Sequence, residues 1–269
     1  MGKAIIFKGQ RQTKERVLQM IVSFFEEFPK KENFDKLKLV KWSTKLHIAA
    51  KSLKEFNQIK SKIKNKNIKE FIYWPILGMN EGYWISPFSK RHAMLSVFNE
   101  LKGKKVSVMI DAETPFSKHK ILFITQLFNF FRNRKIIRKF IKNYPNVYVS
   151  EYYPQGKIKD AILSFLGLHF DPHEYNVKVI KMVYHSMHRF NEKFITKALT
   201  EGRKKYGKNF LVGYGTLAPG ITGDEPKLSL LQLKKDMEIA KKAGLSEVVI
   251  YRLGGLNKKY ASLFRKFST

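Results

Sequence analysis

Val106-Ser-Val-Met-Ile-Asp-Ala-Glu113 is an apolar run that ends abruptly in two carboxylates. Thr114-Pro115 and an amphipathic stretch over Lys118–Ile141 follow it, and a second β-rich run begins at Val147–Glu151. A short β-branched segment, a turn, a helix-period segment and another strand make up one βα unit of a parallel sheet. The same alternation continues in both directions. Strands are expected at Ala4–Phe7, Leu46–Ala50, Phe71–Trp74, Val106–Ile110, Val147–Glu151, Val177–Tyr184, Phe210–Tyr214 and Val248–Arg252. Helices are expected near Thr13–Phe28, Leu53–Ile63, Lys90–Leu101, Lys118–Ile141, Ile158–Leu168, Glu192–Tyr206, Leu228–Ala243 and Lys258–Phe267. Eight strands, each with a following helix, predict an α/β fold of the (β/α)8 TIM-barrel type. Glu32–Thr44 fits no simple unit, so residues 1–44 are read either as a first, irregular unit or as an N-terminal extension. No repeat or Pro/Gly linker divides the 269 residues, and one barrel domain over 1–269 is expected.

In such barrels the working face lies where strands end, so the strand ends carry the functional reading. Asp111 and Glu113 stand two apart, and strand geometry puts both side chains on one face. Adjacent carboxylates repel, which raises the pKa of one and suits it to hold a proton while its partner stays ionised. The structural alternative is a helix-capping Asp and a solvated Glu. Glu151 ends the next strand and is expected beside that pair, giving three carboxylates for acid/base work or for a hard cation. Trp74, Trp84 and Tyr152 crowd the adjacent loops as a platform for sugar rings or bases, with loop packing as the competing account. Tyr184, His185, Tyr214 and Arg252 end the later strands and complete the candidate set. Gly213–Gly223 lacks the Lys-Ser/Thr ending of a phosphate loop and reads as a lid over the mouth; the sequence assigns no cofactor and no metal.

Two of these strand ends resemble those of the family-18 chitinase-like glycosidases. That family closes strand four in Asp-x-Glu, as does Asp111-Ala112-Glu113, and carries Met-x-Tyr at strand six, as does Met182-Val183-Tyr184. The resemblance implies a general acid at Glu113, an Asp111 that orients a substrate N-acetyl group, and a hydrogen bond to that group from Tyr184. The chain departs from the pattern at Met109, His185 and the Tyr251-Arg252 end of strand eight.

Composition sets the outer limits. Zero cysteines exclude disulfides, zinc–thiolate sites and thiol catalysis. No apolar run approaches a membrane span, and Ala4–Phe7 is too short for a signal-peptide core, so a cytoplasmic location is expected. Lys and Arg number 52 against 22 Asp and Glu, a formal +30. Such a balance fits either the solvated surface of a heat-adapted protein or binding of a polyanion such as nucleic acid. The run Phe131–Lys139 is the clearest candidate, as an amphipathic helix with a basic outer face. Three functions follow: a glycoside-hydrolase-like enzyme on a carbohydrate substrate, a non-catalytic binder of an anionic polymer, and a divalent-metal phosphoester hydrolase using Asp111, Glu113, Glu151 and His185 with Arg252 facing phosphate. Oligomeric state is not legible.

Overall fold

A computed structural model describes residues 20–115 and 121–268. Eight parallel strands close into a barrel in chain order: β1 (Ile21–Glu26), β2 (Thr44–Ala50), β3 (Ile68–Pro75), β4 (Ser107–Asp111), β5 (Val147–Tyr152), β6 (Lys178–Met182), β7 (Phe210–Gly215) and β8 (Glu247–Tyr251). β1 closes the ring by pairing with both β2 and β8. The helices are α1 (Lys31–Phe34), α2 (Leu53–Lys62), α3 (Arg91–Leu101), α4 (Ile121–Thr125), α5 (Phe130–Asn143), α6 (Lys157–Phe165), α7 (Pro172–Tyr175), α8 (Glu192–Tyr206), α9 (Leu230–Lys242) and α10 (Lys258–Ser268). The expected (β/α)8 barrel is therefore the fold.

The first unit differs from expectation. The strand expected at Ala4–Phe7 lies outside the described residues, and the helix expected at Thr13–Phe28 gives way to β1 at Ile21–Glu26. Every residue of β1 after Ile21 is buried, so the strand lacks the in–out alternation that identifies a half-buried strand. Val17, Ile21, Phe24 and Phe28 also satisfy a helical period. Only the ladders to β2 and β8 break the tie. Residues 27–43 are then the β1–β2 connection, carrying α1 and a 3-10 turn at Asp35–Leu39. The helix expected over Lys118–Ile141 is interrupted, with α4 and α5 separated by a 3-10 turn at Leu127–Asn129.

Strand alternation builds two apolar layers. Phe25, Ala49, Ile72, Trp74, Met109, Tyr148, Ile180, Leu211 and Val249 fill the barrel interior, and a larger layer lies between the sheet and the helices. Below the inner layer, at the N-terminal end of the strands, polar side chains neutralise one another. Lys45 Nζ contacts Glu247 at 2.7 Å and Glu70 at 3.4 Å, while the Tyr148 hydroxyl donates to Glu70 at 2.9 Å. That plug leaves the opposite end as the open one.

Candidate active site

The inner face of each strand can be followed from the core to the C-terminal mouth by counting in twos. On β4 Met109 is in the core, so Asp111 and Glu113 continue upward on the same face, and both line a cleft at the mouth. On β5 Tyr148 is in the core, so Ser150 and Tyr152 face the cleft. Ile180 leads likewise to Met182 and Tyr184, Val249 to Tyr251, and Phe25 to Glu27. β7 contributes Gly213 and Gly215 on this face. A Cβ on Gly215 would stand 3.0 Å from Tyr251 Cβ, so glycine there lets Tyr251 and Tyr184 stack at 5.7 Å. The cleft holds a cavity of about 180 Å³.

Six of the expected residues are thus brought together: Asp111, Glu113, Tyr184, Trp74, Trp84 and Tyr152. Trp74 is buried at the floor with its ring 5.7 Å from Phe25, while Trp84 is half-exposed at the rim and meets Tyr83 edge-on at 5.5 Å. The Tyr152 hydroxyl is held by Thr114, accepting from its backbone N–H at 3.2 Å.

Four expected residues are elsewhere, and each has a physical reason. Glu151 is not beside the Asp111–Glu113 pair, because the register sets Ser150 opposite Asp111 and turns Glu151 toward the helices. There it is buried against Lys181 at 3.3 Å and His169 at 2.9 Å, and it accepts from the Phe170 backbone N–H. Tyr214 lies between the inward-facing Gly213 and Gly215, so it faces out of the barrel and is fully buried. His185 is one residue past Tyr184 and turns to Asp236, 2.9 Å away. Arg252 is one residue past Tyr251; it pairs with Glu26 at 3.1 Å, donates from Nε to Pro219 O at 2.9 Å, and lies over the Phe28 ring. The metal-hydrolase arrangement thereby loses Glu151, His185 and Arg252 from the cleft. Among the described residues no three His, Asp or Glu side chains come together as a ligand set.

Glu27 is the residue that sequence reading missed. It is buried at the end of β1 and accepts from the Tyr83 hydroxyl at 2.8 Å and from the Tyr251 hydroxyl. A signal was present: Met20-Ile-Val-Ser-Phe-Phe-Glu-Glu27 is an apolar run ending in two acids, as Val106–Glu113 is. Glu225, which also lines the cleft, was missed too. It accepts from the backbone N–H groups of Gly220, Thr222 and Gly223 and so ties down the loop after β7, the stretch read as a lid.

The electrostatics oppose the protein's overall sign. Glu27, Asp111, Glu113 and Glu225 line the cleft with no Lys or Arg among its described lining residues, in a chain of formal charge +30. Burial pushes Glu113 up to about 7, and the Glu27 carboxylate adds to the rise. Burial raises Asp111 strongly, with Glu113 and Glu27 contributing in that order. The two side chains are hydrogen-bonded to each other, so near neutrality the pair holds a proton as one unit.

The pH dependence of stability follows from these directions. Folded Glu113 binds a proton at a pH where its unfolded carboxyl, ordinarily near 4.5, has released it. Its contribution is therefore fully present below the unfolded value and is lost as pH rises through about 7. Melting temperature recorded from about pH 5 to about pH 8 should fall less steeply in Glu113→Gln than in the wild type. Parallel curves for the two proteins would contradict the shared proton.

No protein-family model matches the chain, and no curated protein matches it either. Solved structures do match in three dimensions. The glycoside hydrolase domain of PgaB (BpsB) from Bordetella bronchiseptica aligns over 94% of this chain and 99% of that one, with a TM-score of 0.54 and 12% identity. The spore cortex-lytic enzyme SleL of Bacillus cereus aligns over 94% of this chain and 74% of that one, at TM-score 0.56 and 9% identity. A putative alpha-L-fucosidase from Bacteroides thetaiotaomicron aligns over 100% and 99%, at TM-score 0.52 and 12% identity. The likeness is one of fold. The chain has the barrel that these glycoside hydrolases share, and identities this low carry no substrate across.

Proposed function

We propose that the protein is a carbohydrate-acting hydrolase in which Glu113 is the general acid. The observation that carries this reading is the Asp111–Glu113 pair, two carboxyls on one face of the chain at the foot of an aromatic cleft, where burial raises the pKa of both. A glycosidic bond needs a proton on its leaving oxygen, and a carboxyl kept neutral by burial supplies one. Trp84 and Tyr152 offer flat faces for a pyranose ring at the rim, above the buried Trp74 at the floor. In the step proposed, Glu113 gives its proton to the glycosidic oxygen and the C1–O bond breaks. Where the sugar carries a 2-acetamido group, that group's carbonyl oxygen closes on C1, with Asp111 and Tyr184 orienting it as the family-18 resemblance implies. Water then attacks C1, the C1–O bond to the acetamido oxygen breaks and restores the acetamido group, and the water's proton returns to the Glu113 carboxylate, completing a hydrolysis.

The acidic lining disfavours a polyanion in this cleft, so any nucleic-acid binding belongs to the outer surface. The reading is tested by incubating the protein with N-acetylglucosamine oligomers and with neutral glucan oligomers, and following new reducing ends against pH. Cleavage is expected to decline as pH rises through about 7, where Glu113 loses its proton. Tight sugar binding with no cleavage of any oligomer at any pH would instead favour a binding protein that lacks the hydrolytic step.

A further inference from the structure

The connection that leaves the catalytic strand has a composition the cleft does not explain. Between Glu113 and Glu151 the sequence contains eight Lys and Arg and no Asp or Glu. On the same connection large apolar side chains stand in water. Ile124 is 72% exposed and Phe128 92%, with Ile121, Leu127 and Phe131 also exposed along α4, the 3-10 turn and the first turn of α5. Neighbouring α6 repeats the feature. Ile158 is 80% exposed, and Ile162 and Phe165 follow it at helical spacing on the exposed side. α6 has no fully buried residue, whereas α2, α3, α5, α8, α9 and α10 each bury at least one. The two surfaces are continuous, since the Phe131 and Phe165 rings lie 6.4 Å apart.

Single exposed apolar residues are ordinary, but a contiguous set of this size marks a surface that something covers. Charge identifies the cover. Arg132, Lys135, Lys139 and Lys142 are exposed on α5 and Lys157 and Lys159 on α6, and none of them forms an ion pair with an acid among the described residues. An apolar ridge bordered by unpaired cations matches the layering of an anionic membrane surface, with acyl chains for the ridge and headgroups for the rim. Nucleic acid would satisfy the cations and leave Ile124, Leu127 and Ile158 in water. No described helix is long and apolar enough to cross a membrane.

We propose that α4, the turn at Leu127–Asn129, the start of α5 and α6 form a docking face for an anionic lipid bilayer, to which the protein binds peripherally. The proposal does not depend on the catalytic reading.

Co-sedimentation with phosphatidylcholine vesicles, with and without phosphatidylglycerol, tests it at about 0.15 M salt. The wild type should bind only the phosphatidylglycerol vesicles. Phe128→Asp/Phe131→Asp should bind at least about tenfold more weakly, because two inserted rings are lost. Phe194→Asp/Leu231→Asp removes exposed apolar side chains from α8 and α9 with the same charge change, and should bind within about twofold of wild type. In Phe128→Trp the new indole emission should shift to the blue on phosphatidylglycerol vesicles. Equal weakening by both double variants, or no blue shift, would reduce the effect to net charge and overturn the proposal. So would a wild-type dimer that Phe128→Asp/Phe131→Asp dissociates, or binding of single-stranded RNA through this face without vesicle binding.

Discussion

Glu113→Gln is expected to lower kcat by about three orders of magnitude on any oligosaccharide that the wild type cleaves, with no loss of thermal stability. Gln has the same shape and can keep the hydrogen bond to Asp111, so the substitution removes the transferable proton and little else. Burial has already made that carboxyl hard to ionise, so a neutral amide in its place costs the fold nothing and stabilises it above about pH 7. Glu151→Gln provides the contrast. Its carboxyl touches Lys181 and His169 outside the cleft, so that change should lower the melting temperature and leave kcat nearly intact. Reducing-end assays beside thermal melts on the two variants would decide which acid acts on substrate. Full activity in Glu113→Gln would remove it from the mechanism.

Arg252→Met should unfold the protein more readily without touching the chemistry. Arg252 pairs with Glu26, and Glu26 also accepts from the backbone N–H groups of Phe28 and Gly254 and from Asn33 Nδ2. This cluster fastens the end of β1 to the connection after β8, where the barrel closes. Removing one partner of a buried pair leaves a charge without compensation, a loss on the order of 3 kcal/mol. In a chain of this size that is roughly 5 °C in Tm. Burial pushes Glu26 up to about 7 even with Arg252 beside it. Below that pH the orphaned carboxyl takes up a proton, so the loss should be smaller at about pH 6 than at about pH 8. Glu26→Gln/Arg252→Met should recover part of it at the higher pH. A variant that kept its Tm but lost substrate affinity would return Arg252 to the binding site expected from sequence.

Seven strands and most of their helices were legible in the sequence, because each strand is a short β-rich run bounded by turns and followed by an amphipathic helix. The shared face of Asp111 and Glu113 was legible for the same kind of reason: two-residue alternation is a property of the extended backbone itself. What sequence left undetermined was parity, meaning which alternate set of each strand faces the barrel interior. Strands buried on both sides carry no polar–apolar alternation, so nothing local tells Glu151 from Tyr152, Tyr214 from Gly213, or Arg252 from Tyr251. Their sides follow from the pairing of Asp111 with Ser150 and of Gly215 with Tyr251, contacts between residues far apart in the chain. β1 was hidden because its spacing satisfies both helix and strand, and with it went Glu27. The sequence by itself determined the repeating unit, the shared face of the acid pair and the aromatic residues crowded beside it. Barrel closure alone decided which acids share the cleft, since interstrand register is fixed by long-range hydrogen bonding and core packing rather than by local backbone preference.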